Sequence, residues 1–134
     1  MISKHISFNE ATQSPTALRL KIRNEPNPAQ LEAMKAVSVM CFEPLREWYN
    51  KPIKINSFFR CEALNTAVGG AKNSQHAKGE AIDMSAGNKE ENKKLFDWCK
   101  ANLIFDQLIN EYDYSWVHIS YKKGMNRNQT LTVV

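Results

Sequence analysis

Two histidines and an aspartate, His76, Asp83 and His118, stand at spacings that could assemble a metal centre. His76 and Asp83 lie in Ser74-Gln75-His76-Ala77-Lys78-Gly79-Glu80-Ala81-Ile82-Asp83. A short loop that turns at Gly79 and runs on into a strand can bring that imidazole and that carboxylate together. His118 lies in Trp116-Val117-His118-Ile119-Ser120, and a neighbouring strand carrying it could add the third donor. Two neutral imidazoles and one carboxylate, with a fourth position open, suit catalytic zinc, because a closed structural site normally takes another protein ligand. Zinc held in this way supports hydrolysis without a protein nucleophile. The competing interpretation makes the same residues ordinary loop and turn positions, with His118 a core histidine beside Trp116.

Positioning these side chains requires strands and the helices that back them. Strand candidates begin at Ile53, Ile55 and Phe58 after the Asn50-Lys51-Pro52 turn, and continue with Glu80–Ser85, Leu103–Ile109, Ser115–Tyr121 and an edge strand over Leu131–Val134. Ser7 and Glu10 form a possible capping box for a short helix that Pro15 limits, and an irregular stretch follows through Asn24, Pro26 and Asn27. Pro28 then introduces an apolar stripe, Leu31, Met34, Val37, Cys41, Leu45 and Trp48, which predicts a long helix with a kink or early end at Pro44. A short helical piece over Glu62–Thr66, a change of direction at Gly69-Gly70 and a helix over Lys89–Ala101 complete the order. The expected architecture is α+β, with helices packed on one face of a mainly antiparallel sheet, in one small domain spanning residues 1–134.

Composition narrows the function classes. A chain of 134 residues with 43% hydrophobic residues is expected to fold around its own core. The net charge of +4 favours an anionic partner only weakly. Cys41, Cys61 and Cys99 are odd in number and widely spaced, which argues against a disulfide framework or a cysteine metal site. The amino terminus lacks the pattern of a secretory signal, so the expected location is the cytoplasm until another agent exports or releases the chain. No segment approaches the roughly 20 apolar residues of a membrane span. Lys122, Lys123 and Arg127 alone support a nucleic-acid module, without paired zinc-finger cysteines or a helix-turn-helix pattern, so no nucleic-acid partner is expected.

The two histidine motifs, in this order, resemble the zinc D-alanyl-D-alanine carboxypeptidase-like peptidases, which include bacteriophage peptidoglycan endopeptidases. The likeness extends to the opening around His5 and Phe8, the Asn56–Gly70 region, and Phe105–Ile109. It implies the compact α+β fold shared by those peptidases and the hedgehog signalling domain, with His76, Asp83 and His118 as zinc ligands. Many members carry a catalytic glutamate three residues before the second histidine, where this chain has Ser115. The subgroup it resembles most has instead an acidic residue after Phe-Asp-Gln-Leu-Ile, matched here by Glu111. Glu111 is therefore the first candidate for the general base and Asp113 the alternative, with Tyr112 and Tyr114 as possible assistants; the opposing interpretation is an exposed hairpin turn. Phe58-Phe59-Arg60-Cys61 replaces a more usual Gly-Tyr-Arg-Ser but keeps Arg60, which could bind a substrate carboxylate or an oxyanion, or form only a surface salt bridge. Ser74 and Gln75 could contact substrate or hold the ligand loop, whereas Gln107 reads as structural. The implied partner is peptidoglycan or a short peptide containing a D-amino acid, cleaved by a monomeric carboxypeptidase or endopeptidase such as an endolysin. A second class, a peptidoglycan-binding or structural protein that keeps the metal site without efficient hydrolysis, follows from Ser115.

Overall fold

Local sequence signals start most of the helices in the computed structural model, which describes residues 1–134. Ser7 and Glu10 form the reciprocal capping box of α1, Phe8–Thr12. Pro15 does more than end α1: at the first turn of α2, Pro15–Leu20, its missing N–H costs nothing, and Ser14 caps the helix. Asn27 and Gln30 box the start of α3, Pro28–Val37. The stripe then continues through a π-helical turn, Ser38–Phe42, into α4, Glu43–Tyr49. The wide turn answers the difficulty at Pro44, which cannot donate to the carbonyl four residues back and would crowd it in a regular helix. Glu43 N–H bonds Ser38 O instead, and the apolar stripe passes Pro44 without a break. Two further helices follow, α5 over Glu62–Ala67 and α6 over Lys89–Asn102.

Five strands, β1 (Lys54–Ser57), β2 (Ala81–Ser85), β3 (Gln107–Glu111), β4 (Trp116–Ser120) and β5 (Gln129–Val133), form one sheet in the order β1-β2-β4-β3-β5. The first three pairings are antiparallel, but β5 runs parallel to β3, so the sheet is mixed. β3 begins at Gln107, later than the apolar run Leu103–Phe105 suggests. Leu103 caps α6, and Phe105 and Asp106 are held by bonds to the 127–129 segment.

Side chains alternate across β2, β3 and β4. Ile82, Met84, Leu108, Val117 and Ile119 enter a core with Met34, Val37, Cys41 and Leu45 from the long helical segment and Leu95, Phe96 and Cys99 from α6. Burying each large apolar side chain contributes about 1.5–3 kcal/mol, so this face anchors the sheet. Cys41 and Cys99 are free thiols within it, and burial pushes the Cys41 thiol up to about 12, which leaves it an unreactive packing residue. No helix is long and apolar enough to cross a membrane.

Candidate metal centre

The alternation that sends Ile82, Val117 and Leu108 into the core turns Asp83, His118, Ile109 and Glu111 toward the opposite face, where they line a cleft of about 620 Å³. Register does the rest: Asp83 pairs with His118, and His118 with Ile109, so the donors of β2 and β4 stand side by side. His76 arrives from a 3-10 turn, His76–Lys78, that ends at Gly79. Gly79 has φ +76°, and a Cβ on it would stand 2.6 Å from the Gln30 carbonyl oxygen and 2.9 Å from Met34 Cγ. The turn can therefore lie tight against α3 only because this residue has no side chain. Gln30 Nε2 ties the same turn down by donating to Ala77 O.

His76 Nε2 lies 3.1 Å from Asp83 Oδ2, and His118 Nδ1 lies 3.0 Å from Asp83 Oδ1. One ligand atom from each residue falls within 4.8 Å of the others. Tetrahedral zinc with bonds of about 2.0–2.1 Å needs donors roughly 3.3 Å apart, so the two contacts to Asp83 are close to that spacing and the three side chains together have the chemistry of a metal centre. Their outward nitrogens are also held. His76 Nδ1 bonds the Phe58 carbonyl at 2.8 Å and must be the protonated nitrogen, which leaves Nε2 free to ligate. Burial alone would raise the Asp83 carboxyl, but in the absence of a cation the His118 and His76 rings, when protonated, donate to it and place positive charge beside it, which outweighs burial and holds the group well below the usual carboxylate range. A carboxylate that stays ionised while buried is what a cation at this position requires.

The remaining expected site residues separate. Arg60 lines the cleft, and Ser74 Oγ accepts from its Nη2 at 3.4 Å. Burial lowers the Arg60 pKa against the opposing pull of the Asp83 and Glu111 carboxylates, and the guanidinium remains charged. Ser74 is buried, and its Oγ also accepts from His76 N at 3.1 Å, bracing the ligand loop. Gln75 Oε1 meets His118 Nε2 at 3.0 Å. Glu111, the last residue of β3, lies across from Trp116, whose indole N–H donates to Oε2 at 2.9 Å; the same oxygen is 3.9 Å from His118 Nδ1. Asp113 does not reach the cleft. It is 72% exposed and paired with Lys89 at 2.6 Å.

The reason is the turn between β3 and β4. Tyr112, Asp113 and Tyr114 all have left-handed φ, at 51°, 55° and 60°, an uncommon run for residues with side chains. It is stapled by Tyr114 N–H to Asn110 Oδ1, by Ser115 Oγ to the Tyr112 carbonyl, and by Asn92 Nδ2 to the Tyr114 and Ser115 carbonyls. Ser115 thus closes the turn, and Tyr114 packs edge-on against Phe96. Of the two tyrosines only Tyr112 lines the cleft. Gln107 also reaches its rim, with its amide bonded to Gln129.

Two contributors carry no advance mark of their role in the sequence, Trp116, which anchors Glu111, and Phe58, which holds His76, and a third, Asp106, accepts from the Gln75 amide at 2.8 Å. Trp116 and Asp106 were visible inside the family-like segments, but their hydrogen-bonding partners were not; the contribution of Phe58 is a backbone carbonyl, which no residue type advertises. A second groove, of about 670 Å³ and lined by Ala33, Ala36, Val39, Met40 and Tyr121 among others, has no cluster of ligand donors, so the chemistry belongs to the sheet cleft.

These features define an α+β protein in which a mixed sheet carries a His-Asp-His donor set capable of coordinating a metal ion. The chain belongs to the peptidase M15 family, whose pattern it matches over residues 4–120. A 40-residue stretch, 30% of the chain, is 48% identical to the zinc D-Ala-D-Ala carboxypeptidase of Streptomyces albus G and spans 16% of that protein's length.

Proposed function

We propose that the protein is a zinc metallopeptidase that hydrolyses a peptide bond in peptidoglycan stem peptides or cross-links, as a carboxypeptidase or an endopeptidase. One observation carries this reading: the cleft that holds the His-Asp-His donors is also lined by a carboxylate, Glu111, and a guanidinium, Arg60. His76 Nε2, the Asp83 carboxylate and His118 Nδ1 would hold the ion, and imidazole with carboxylate is a donor set that suits zinc. When bound, zinc supplies Lewis acidity toward a carbonyl and lowers the pKa of water. Family membership and the likeness to a zinc D-Ala-D-Ala carboxypeptidase support a peptidoglycan substrate.

Glu111 is the proton carrier in this scheme. Trp116 anchors its Oε2, leaving Oε1 to take a proton from the attacking water. As the water oxygen bonds to the carbonyl carbon and the C–N bond breaks, Glu111 returns that proton to the departing amine. Arg60 donates to the oxyanion that develops or to a carboxylate on the substrate. Ser74 and Gln75, whose polar atoms are engaged by Arg60, His76 and His118, serve by holding the ligand loop. The reading as a binding protein without turnover rested on Ser115, and Glu111 supplies the carboxylate that Ser115 lacks.

Mass spectrometry of muropeptides incubated with the zinc-loaded protein tests the proposal. New products are expected, and their masses distinguish loss of a terminal residue from scission within the stem. His76→Ala, Asp83→Ala and His118→Ala should each lower zinc content from about one ion per chain and abolish turnover. No products across several stem and cross-bridge chemistries would favour the binding protein instead.

A further inference from the structure

The hydrogen bonds behind His118 extend further than those behind His76. Gln75 Oε1 is 3.0 Å from His118 Nε2, and Gln75 Nε2 donates to Asp106 Oδ2 at 2.8 Å. Asp106 is 1% exposed, and Arg127 donates to it three times: Nε to Oδ1 at 2.9 Å, Nη2 to Oδ2 at 2.8 Å and the backbone N–H to Oδ1 at 3.1 Å. The hydrogen bonds from Arg127 hold the Asp106 carboxyl below its ordinary value, so it is an acceptor only. Each link then dictates the next. A carboxylate can face only the NH2 end of the Gln75 amide, so the carbonyl end faces His118. A carbonyl can only accept, so His118 Nε2 must carry a proton. His118 Nδ1 faces the Asp83 carboxylate at 3.0 Å, to which it can only donate; with a cation bound there instead, the single N–H of the neutral imidazole is the one that Gln75 holds on Nε2, and the lone pair is on Nδ1.

We propose that Asp106 is a positioning residue that, through the Gln75 amide, selects the His118 tautomer whose Nδ1 lone pair faces the metal site. The inference rests on the proposed ligand role of His118. It gives a function to a buried carboxylate, paired with Arg127, some distance along the chain from either histidine motif. It also explains why Gln75 is an amide: a group is needed that donates at one end and accepts at the other. His76 needs no such relay, because the Phe58 carbonyl accepts directly from its Nδ1.

Asp106→Asn reverses the relay. With its oxygen kept at the Oδ1 position by the Arg127 backbone N–H and Nε–H, the substituted amide gives up the Nη2 contact and presents its NH2 to residue 75, the Gln75 amide turns over, and its own NH2 now faces His118 Nε2. That favours the Nδ1–H tautomer and obstructs coordination. Gln75→Glu added to Asp106→Asn restores the pattern, because a carboxylate at 75 accepts from both neighbours. Gln75→Met removes the acceptor and leaves the Asp106–Arg127 pair intact, which separates the relay from any effect on folding. Zinc affinity by competition with a chelator, and imidazole 15N shifts of the zinc-loaded protein, should be measured for the wild type and all three variants. Affinity should fall roughly 10- to 100-fold in Asp106→Asn and in Gln75→Met and recover in the double variant. The wild type should show Nε2–H and coordinated Nδ1. Unchanged affinity in both single variants, or coordination through Nε2, would overturn the relay while the zinc site stands. Loss in Asp106→Asn without recovery in the double variant, while Gln75→Met binds normally, would also overturn it. A wild type that binds no zinc would sink both readings together.

Discussion

Glu111 and Asp113 are two residues apart and chemically alike, yet they face different surroundings. Glu111 ends β3 on the cleft side, bonded to the Trp116 indole, while Asp113 sits at the tip of a left-handed turn and pairs with Lys89 in solvent. If Glu111 carries the proton without holding the metal, Glu111→Gln should keep the fold and zinc binding and lower turnover about 100-fold or more. Asp113→Asn should keep near-normal turnover, since an exposed pair of this kind contributes little even to stability. Steady-state hydrolysis of a muropeptide by the two zinc-loaded variants decides the matter. Collapse in the asparagine variant with a healthy glutamine variant would transfer the role to Asp113.

At the scale of the element, the ligand loop depends on one residue without a side chain. Gly79 ends the turn of His76, leads into the strand of Asp83 and touches α3, so it couples two candidate donors to the helical layer. Gly79→Ala meets both a left-handed φ and a backbone oxygen that cannot move alone. It should cost on the order of 2 kcal/mol of stability and weaken zinc binding as well. Urea denaturation of the metal-free protein reads the first effect and chelator competition the second; a variant with wild-type values for both would show that the turn is free to shift. The β3–β4 turn behaves in the opposite way. Three left-handed residues are retained there, and Asn92, Asn110 and Ser115 close hydrogen bonds around them. Asp113→Gly should therefore leave stability within about 1 kcal/mol of wild type, as relief of the backbone offsets the flexibility gained by the unfolded chain.

For the whole molecule, metal binding and acid stability are the measurable consequences of these networks. Zinc that binds only the folded chain should raise stability by about 2.7 kcal/mol at a hundred times its Kd, and a chelator should reverse the gain. A melting temperature that ignores both would count against a preformed site. Away from the cleft, Glu43 of α4 accepts from the Ser3 hydroxyl, from His5 N–H at 2.8 Å and from the His5 ring at 2.6 Å, tying the amino terminus to the long helical segment. Burial works to raise the Glu43 carboxyl, but these bonds and the His5 charge outweigh it and hold the group below its ordinary value. Because the folded-state pKa is depressed, the stabilisation from Glu43 is fully present above the unfolded value of about 4.3 and is lost as pH falls through the folded value. The stability gap between wild type and Glu43→Gln should thus be widest near neutral pH and close under acid. A gap that persists unchanged to about pH 2 would assign it to packing.

The residue types and their order were sufficient to nominate His76, Asp83 and His118, because metal chemistry restricts donors to few side chains and strand alternation is a local property. Helix starts at Ser7 and Pro28 were equally local, since a capping box bonds residues three apart and proline suits a first turn. The tertiary structure alone decided what depends on distant partners or on the path of a turn. A strand extrapolated past Glu111 would keep Asp113 on the same face, but three left-handed residues swing it into solvent. The parallel placement of β5 beside β3, and the relay from Asp106 through Gln75 to His118, join residues 22, 31 and 43 positions apart. Such pairings leave no periodic trace along the chain, because hydrogen bonds between folded segments are set by where the core places their backbones.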